Sequence, residues 1–244
     1  MSEWKAKRFW AEAHVTETEG GFGIFLDTRP VKTPGKAALV VPSRAMAAAI
    51  AAEWDAQQDE IRPLTMPVTR AANAAIDKVT PQHAEVADMI AAYGDADLLC
   101  YRADAPEGLV ARHAAEWDPL LDWAEAALGA RLVPVVGVIH KPQDQRALAA
   151  LSGRVHEMDP FTLTAFHDLV GLSGSLIIGF AARMNHRTPE TLWAASRIDE
   201  TWQEEMWGVD EEARQMALAK RNQFMDAKRF HDLVSAPDKP ALGS

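Results

Sequence analysis

The chain has 244 residues, 48% hydrophobic and 25% charged. That is enough apolar side chain for a sizeable core, and it excludes a disordered, collagen-like or coiled-coil chain. A single cysteine, Cys100, excludes an internal disulfide framework and a four-cysteine zinc site, and a net charge of −10 opposes nucleic acid or an anionic membrane as partner.

The first forty residues carry strand signals. Residues 9–16 alternate, Glu19-Gly20-Gly21 is a turn, and 22–27 (Phe-Gly-Ile-Phe-Leu-Asp) reads as a strand. Thr28-Arg29-Pro30 breaks it, 31–33 resumes, Pro34-Gly35 turns again, and 38–41 is a further short strand. Such a meander is too small to stand alone and must pack on the helical segments after it.

After Pro42 the pattern becomes helical. Ser43 is an N-cap for a helix over 45–57, and Pro63 and Pro67 bracket a loop. Helices are expected over 68–79, 82–93, 109–128 with Pro119 as a kink or join, 143–158, 160–170, 176–184 behind Ser173 or Ser175, 189–207, and 211–234. Residues 98–101 are ambiguous, and the Val-rich 132–139 reads as a lone extended segment. The fold class is α+β: a small antiparallel β domain with the first helix (1–65), a helical domain (66–234) and a flexible tail (235–244). Met1 begins a stretch with no apolar core of a signal peptide and no presequence. The longest apolar run, near 176–182, is far short of a membrane span.

Motifs for small-molecule chemistry fail one by one. Gly35-Lys36 lacks the upstream Gly and the hydroxyl of a phosphate loop, and Gly20-Gly21-Phe22-Gly23 sits in a hairpin, not at a strand-to-helix turn. No His-x3-His or Glu-x2-His pair exists; His113-x2-Glu116 is better read as ordinary polar residues. Gly171-Leu172-Ser173-Gly174-Ser175 gives four of the five letters of a nucleophile elbow, but helix end and cap is the better reading. Asp95 and Asp97 read as caps ahead of a metal pair, and Cys100 as an inert buried thiol. Neither catalytic residues nor a cofactor are expected. Along 189–207, Leu192, Ala195, Ile198, Trp202 and Met206 form an apolar stripe. Beside it run Trp193, Arg197, Glu200, Glu204 and Trp207, either a solvated face or an acidic, Trp-studded docking surface. Trp54, Trp117 and Trp123 read as core.

An ordered set of segments resembles one family. It begins with Phe9-Trp10 and Leu26-Asp27-x-Arg29-Pro30-x-Lys32-Thr33-Pro34, and continues through Glu53-Trp54-Asp55-Ala56-Gln57, Ile61-x-Pro63, Met66-Pro67-x-Thr69 and Ala72-Asn73-x-Ala75-Ile76-Asp77. Asp95-x-Asp97-Leu98-Leu99-Cys100-Tyr101-Arg102, then Trp117-Asp118-Pro119-Leu120-Leu121-Asp122-Trp123, Gly174-Ser175-Leu176 and Asp199-Glu200-x-x-Gln203-x-Glu205-x-Trp207-Gly208 complete it. Together these resemble the F1-ATPase assembly chaperones that act on the alpha subunit. The resemblance implies a non-enzymatic chaperone with a small β domain and a larger helical one. It implies that the chain binds unassembled F1 alpha subunit, shields its interface and hands it to beta. It also implies that Asp199, Glu200 and Gln203 matter for client binding and Trp54 for the fold. The docking-surface reading adds Glu204, Trp193 and Trp207; Asp97 and Arg102 join Trp54 as fold-critical. A monomer in the bacterial cytoplasm is expected, with mitochondrial matrix homologues and neither nucleic acid nor membrane insertion. The competing readings are a small hydrolase using Ser173 or Asp95/Asp97, and a helical scaffold with other partners.

Overall fold

The structure is a computed structural model that describes residues 7–236. The described residues fall into two compact units: 7–82 with 160–164 and 229–236, and 83–159 with 165–228. Residues 1–6, and most of the expected tail at 237–244, lie outside the described residues.

In the first unit β1 (Ala13–Thr18) and β2 (Gly21–Leu26) form an antiparallel hairpin, with Thr18 opposite Gly21 and Ala13 opposite Leu26. Gly21 is obligatory here, because a Cβ on it would lie 2.4 Å from the Val41 carbonyl oxygen. β2 also pairs with β3 (Arg29–Pro30) and β4 (Val40–Val41). Arg29 and Pro30, expected to break the strand, therefore continue the sheet at its edge, where proline costs no ladder bond. Asp27 turns that corner at a φ of 52°, and its Oδ1 accepts from the backbone N–H groups of Ala11 and Glu12. One carboxylate thus shapes the turn and ties down the chain ahead of β1.

Ile24, Leu26, Val31, Leu39 and Val41 are buried, as is the inner face of α1 (Arg44–Asp55) at Met46, Ala47, Ile50 and Ala51. Ser43 caps α1 by accepting from Met46 N–H, while its own hydroxyl donates to the Leu233 carbonyl. The Glu53-Trp54-x-x-Gln57 segment explains itself. Glu53 accepts from the Val68 and Thr69 N–H groups and so caps α2 (Pro67–Ala74). Gln57 accepts from Arg62 N–H and closes the loop between them. Trp54 is half-buried and meets Trp10 edge-on at 5.3 Å. The helix expected over 68–79 ends as α at Ala74 and continues as wider π-type turns through Val79.

The second unit is helical: α3 (His83–Ala91), α4 (Glu107–Leu128), α5 (Gln145–His156), most of α6 (Pro160–Ser173), α7 (Leu176–Arg183), α8 (Pro189–Ala195), α9 (Ile198–Trp207) and most of α10 (Glu211–Val234). Pro119 sits inside α4 without dividing it. The Val-rich segment is paired, not alone: β6 (Val135–Val136) lies parallel to β5 (Tyr101–Arg102). Ser175, not Ser173, caps α7 by accepting from Ile178 N–H. Among the described residues no helix is long and apolar enough to cross a membrane.

Asp97 is fully buried. Its Oδ1 accepts from Leu99 N–H at 3.0 Å and its Oδ2 from Ile177 N–H at 3.0 Å, so one carboxylate caps two chain segments 80 residues apart. Burial pushes the carboxyl up to about 6 from an ordinary value of 3.8, with the backbone hydrogen bonds pulling the other way. A raised carboxyl in the folded chain means that protonation favours folding. Asp97 therefore contributes stability below pH 4 that is lost as pH rises through about 6, on the order of 3 kcal/mol across that window. Chemical denaturation of wild type and Asp97→Asn at pH 4 and pH 7 should show the wild type gaining relative to the variant at pH 4. A difference that stays constant with pH would contradict it.

Candidate functional site

The expected single helix over 189–207 is two helices. α8 ends at Ala195, and α9 begins at Ile198 after Ser196 and Arg197. Thr188 caps α8 by accepting from Thr191 N–H, with Pro189 at the first position, as the sequence predicts. The break has a cause elsewhere in the chain. Had the helix continued, the Ala195 carbonyl would accept from the backbone; instead it accepts from Trp117 Nε1 of α4 at 2.8 Å. One turn earlier on α4, His113 stacks on Trp117 with 3.9 Å between ring centroids. His113 Nε2 lies 2.8 Å from Asp199 Oδ1 in the first turn of α9, and its Nδ1 accepts from Ala103 N–H at 3.3 Å. A backbone N–H can only donate, so Nδ1 carries no proton and Nε2–H donates to Asp199.

A second clamp lies further along α9. Arg112 grips Glu205 through two hydrogen bonds of 3.0 and 2.9 Å, and its guanidinium lies 4.9 Å from the centre of the Trp202 ring. Trp202 packs so closely on α4 that a Cβ at Gly108 would lie 2.7 Å from the indole. The hydrogen bond to Arg112 holds the Glu205 carboxyl below its usual range, while Glu205 raises Arg112.

The break changes which side chains face out. Trp193, expected as a surface anchor, is 7% exposed; it packs on Phe224 at 5.6 Å under the Arg197 guanidinium. The two segments no longer share one helical register, so a stripe read through 189–207 mixes inner and outer positions. Met206, assigned to the inner stripe, is exposed for another reason: it lies on α9 with Ile198 but eight residues on, about 80° round the helix, whereas Leu192, Ala195 and Ile198 are buried. Trp207 is 79% exposed. Glu200 pairs with Arg197 at 2.8 Å, Gln203 is exposed and Glu204 half-buried. Positions 200, 203, 204 and 207 fall at i, i+3, i+4 and i+7, and so share one face of α9. Asp199 is separated from that face by its bond to His113.

The groups a hydrolase would use are bound to the fold. The Ser173 hydroxyl donates to the Leu169 carbonyl at 2.6 Å. Asp95 accepts from Gln143 N–H at 2.8 Å and pairs with His140, while Asp97 is the buried cap described above. The Cys100 thiol is buried and pushed up to about 12, chiefly by desolvation. Arg102 donates from Nε to the Leu99 carbonyl at 2.7 Å, reaches Asp118 at 2.7 Å and lies over the Trp117 ring. Among the described residues no group of three or more His, Cys, Asp or Glu could hold a metal ion.

Comparison with known proteins places this architecture. The family model described as ATP12 chaperone protein matches residues 7–125. The crystal structure of Atp12 from Paracoccus denitrificans is 51% identical, with 95% of this chain and 100% of that one covered at a TM-score of 0.93. The chain belongs to the ATP12 chaperone family. A variant of the Paracoccus protein with Lys in place of an Asp matches equally well, with 51% identity, 96% and 100% coverage and a TM-score of 0.93. The Atu1473 protein of Agrobacterium tumefaciens is 41% identical, with 94% and 86% covered and a TM-score of 0.90. The α+β organisation expected from the sequence is thus that of this ATP12 family.

Sequence reasoning missed Arg112, Gly108 and the roles of His113 and Glu205. The i, i+4 spacing of His113 and Trp117 was a visible signal, but their partners lie some eighty residues away in the chain. A double-mutant cycle should detect the pinning. His113→Ala is expected to cost about 2–4 kcal/mol through lost packing and an unpaired acid. Asp199→Ala should then cost about 1 kcal/mol less in that background than alone. Strict additivity in urea denaturation would contradict the pairing.

Proposed function

We propose that this ATP12 family member is a non-enzymatic assembly chaperone. It binds the unassembled F1 alpha subunit of ATP synthase, covers the surface that beta later occupies, and yields the client to beta. The observation that carries this reading is the outer face of α9. A helix fixed on its inner side by two clamps presents Glu200, Gln203, Glu204 and Trp207 outward, with Trp207 almost wholly in solvent. Aromatic anchors ringed by charge are what recognition surfaces use, with the charges setting orientation and the aromatic supplying affinity. An orphan subunit exposes apolar interface, an aggregation hazard that such a surface relieves. Ser173, Asp95 and Asp97 are spent on main-chain and cap bonds, which disfavours the hydrolase reading. The sequence carries no phosphate loop, so release is assigned to competition by beta. The protein works as a monomer in the bacterial cytoplasm.

Light scattering tests this directly. F1 alpha subunit diluted from denaturant should aggregate less with this protein present, and the two should co-elute on size exclusion. Glu200→Lys removes an exposed ion pair with Arg197 that is worth under about 1 kcal/mol to the fold. It should weaken client capture about tenfold with an unchanged melting curve. Wild-type protein that neither suppresses aggregation nor forms a complex would end the reading.

A further inference from the structure

Gly208 to Asp210 joins α9 to α10, and a groove runs between the two helices. One wall is Glu200, Thr201 and Glu204 of α9 with Arg197 just ahead of it; the other is Arg214, Ala217, Leu218 and Arg221 of α10. The α10 set falls at i, i+3, i+4 and i+7, so that helix turns one face toward the gap. The buried indole of Trp193 lines the groove as well.

The walls are opposite in charge, yet they do not pair across the gap. At the start of α9, the N-cap residue Arg197 satisfies Glu200 at 2.8 Å. On α10, Glu211 holds Arg214 at 3.2 Å, also within one turn. Among the described residues the side chains of Glu204 and Arg221 have neither a hydrogen-bond nor an ion-pair partner, the Glu204 carbonyl alone being used by Gly208 N–H. The groove therefore sets the apolar Ala217 and Leu218 beside Arg221 on one bank and Glu204 on the other, with Trp193 covered by Arg197. Charged helix faces around apolar side chains match the way an amphipathic helix is received, with anchors at i, i+3 or i+4 and i+7.

We infer that this groove receives an amphipathic helical segment of the client. That segment is apolar along the edge that meets Ala217 and Leu218. It carries Lys or Arg toward Glu204 and Asp or Glu toward Arg221. The inference rests on the chaperone reading above and extends it to α10, which no motif in the sequence points to. Matched charges on both edges fix the direction in which the segment lies, because a reversed helix would set like charges together.

The test uses the full chain and F1 alpha subunit diluted from denaturant, with affinity read by titration and complex by size exclusion. Ala217→Trp fills the apolar part of the groove and leaves every charge in place. Arg221→Glu reverses the basic charge and leaves the apolar part open; Arg221→Lys keeps its charge. The first two variants should each bind at least tenfold more weakly with wild-type melting curves, and Arg221→Lys should bind within about twofold of wild type. Wild-type binding by both Ala217→Trp and Arg221→Glu would overturn the groove while leaving the chaperone reading standing. A wild-type protein that binds no alpha subunit would remove both. Should the groove instead hold a second copy of this chain, wild type alone would elute as a concentration-dependent dimer that Ala217→Trp abolishes, and the client inference would fall.

Discussion

Trp117 and His113, one turn apart on α4, hold the two sides of a single helix break. Trp117 donates to the last carbonyl of α8, and His113 donates to the first-turn acid of α9. A helix interrupted in a protein interior leaves carbonyl and amide groups that must find partners, and an orphaned one costs about 1–3 kcal/mol. Here the ladder on α4 supplies a partner to each side. Trp117 is 1% exposed and serves also as the surface on which His113 stacks and over which Arg102 lies. Arg102 in turn comes from the segment that Asp97 begins by capping, so two of the three residues expected to be fold-critical share one neighbourhood, while Trp54 belongs to the other unit, against Trp10.

The break produces a division of labour along α9. Its inner acids, Asp199 and Glu205, are engaged by His113 and Arg112, and the Trp202 ring lies against Gly108. Exposed ion pairs add little to stability, so the buried ring contacts hold the helix and the charges align it. In the proposed reading, the outer positions meet the client. A surface already ordered before binding loses little conformational freedom when a client arrives, which suits a chaperone that must capture an unstable subunit and then release it. Moderate affinity from a few anchors fits that task better than a broad apolar interface.

The sequence made the elements legible wherever local rules suffice. Ser43 and Thr188 with Pro189 announce helix starts by their own chemistry, whereas the helix read from 143 begins at Gln145 behind Asp144. The hairpin of β1 and β2 follows from its alternation and glycine turn. The features that stayed hidden depend on distant partners. Nothing between Pro189 and Trp207 is a strong helix breaker, so the interruption at Ser196 can be seen only with Trp117 in place. Trp193 is misplaced by a sequence reading for that reason, and Arg29–Pro30 reads as a stop because its neighbour in the sheet is not visible in one strand. Of the stripe read from the sequence, Glu200, Glu204 and Trp207 share one face because all three lie on the same side of the break; Gln203 joins them from the family resemblance.

Hydrogen exchange of the free chain and of its mixture with F1 alpha subunit tests the central claim, that α9 is fixed before its client arrives. The account predicts that the amides of residues 202–207 are already protected in the free chain, and that further slowing on client binding centres on residues 197–221. Exchange of α9 at unfolded rates in the free chain, with protection appearing only in the complex, would contradict it. So would new protection confined to the β1–β2 hairpin.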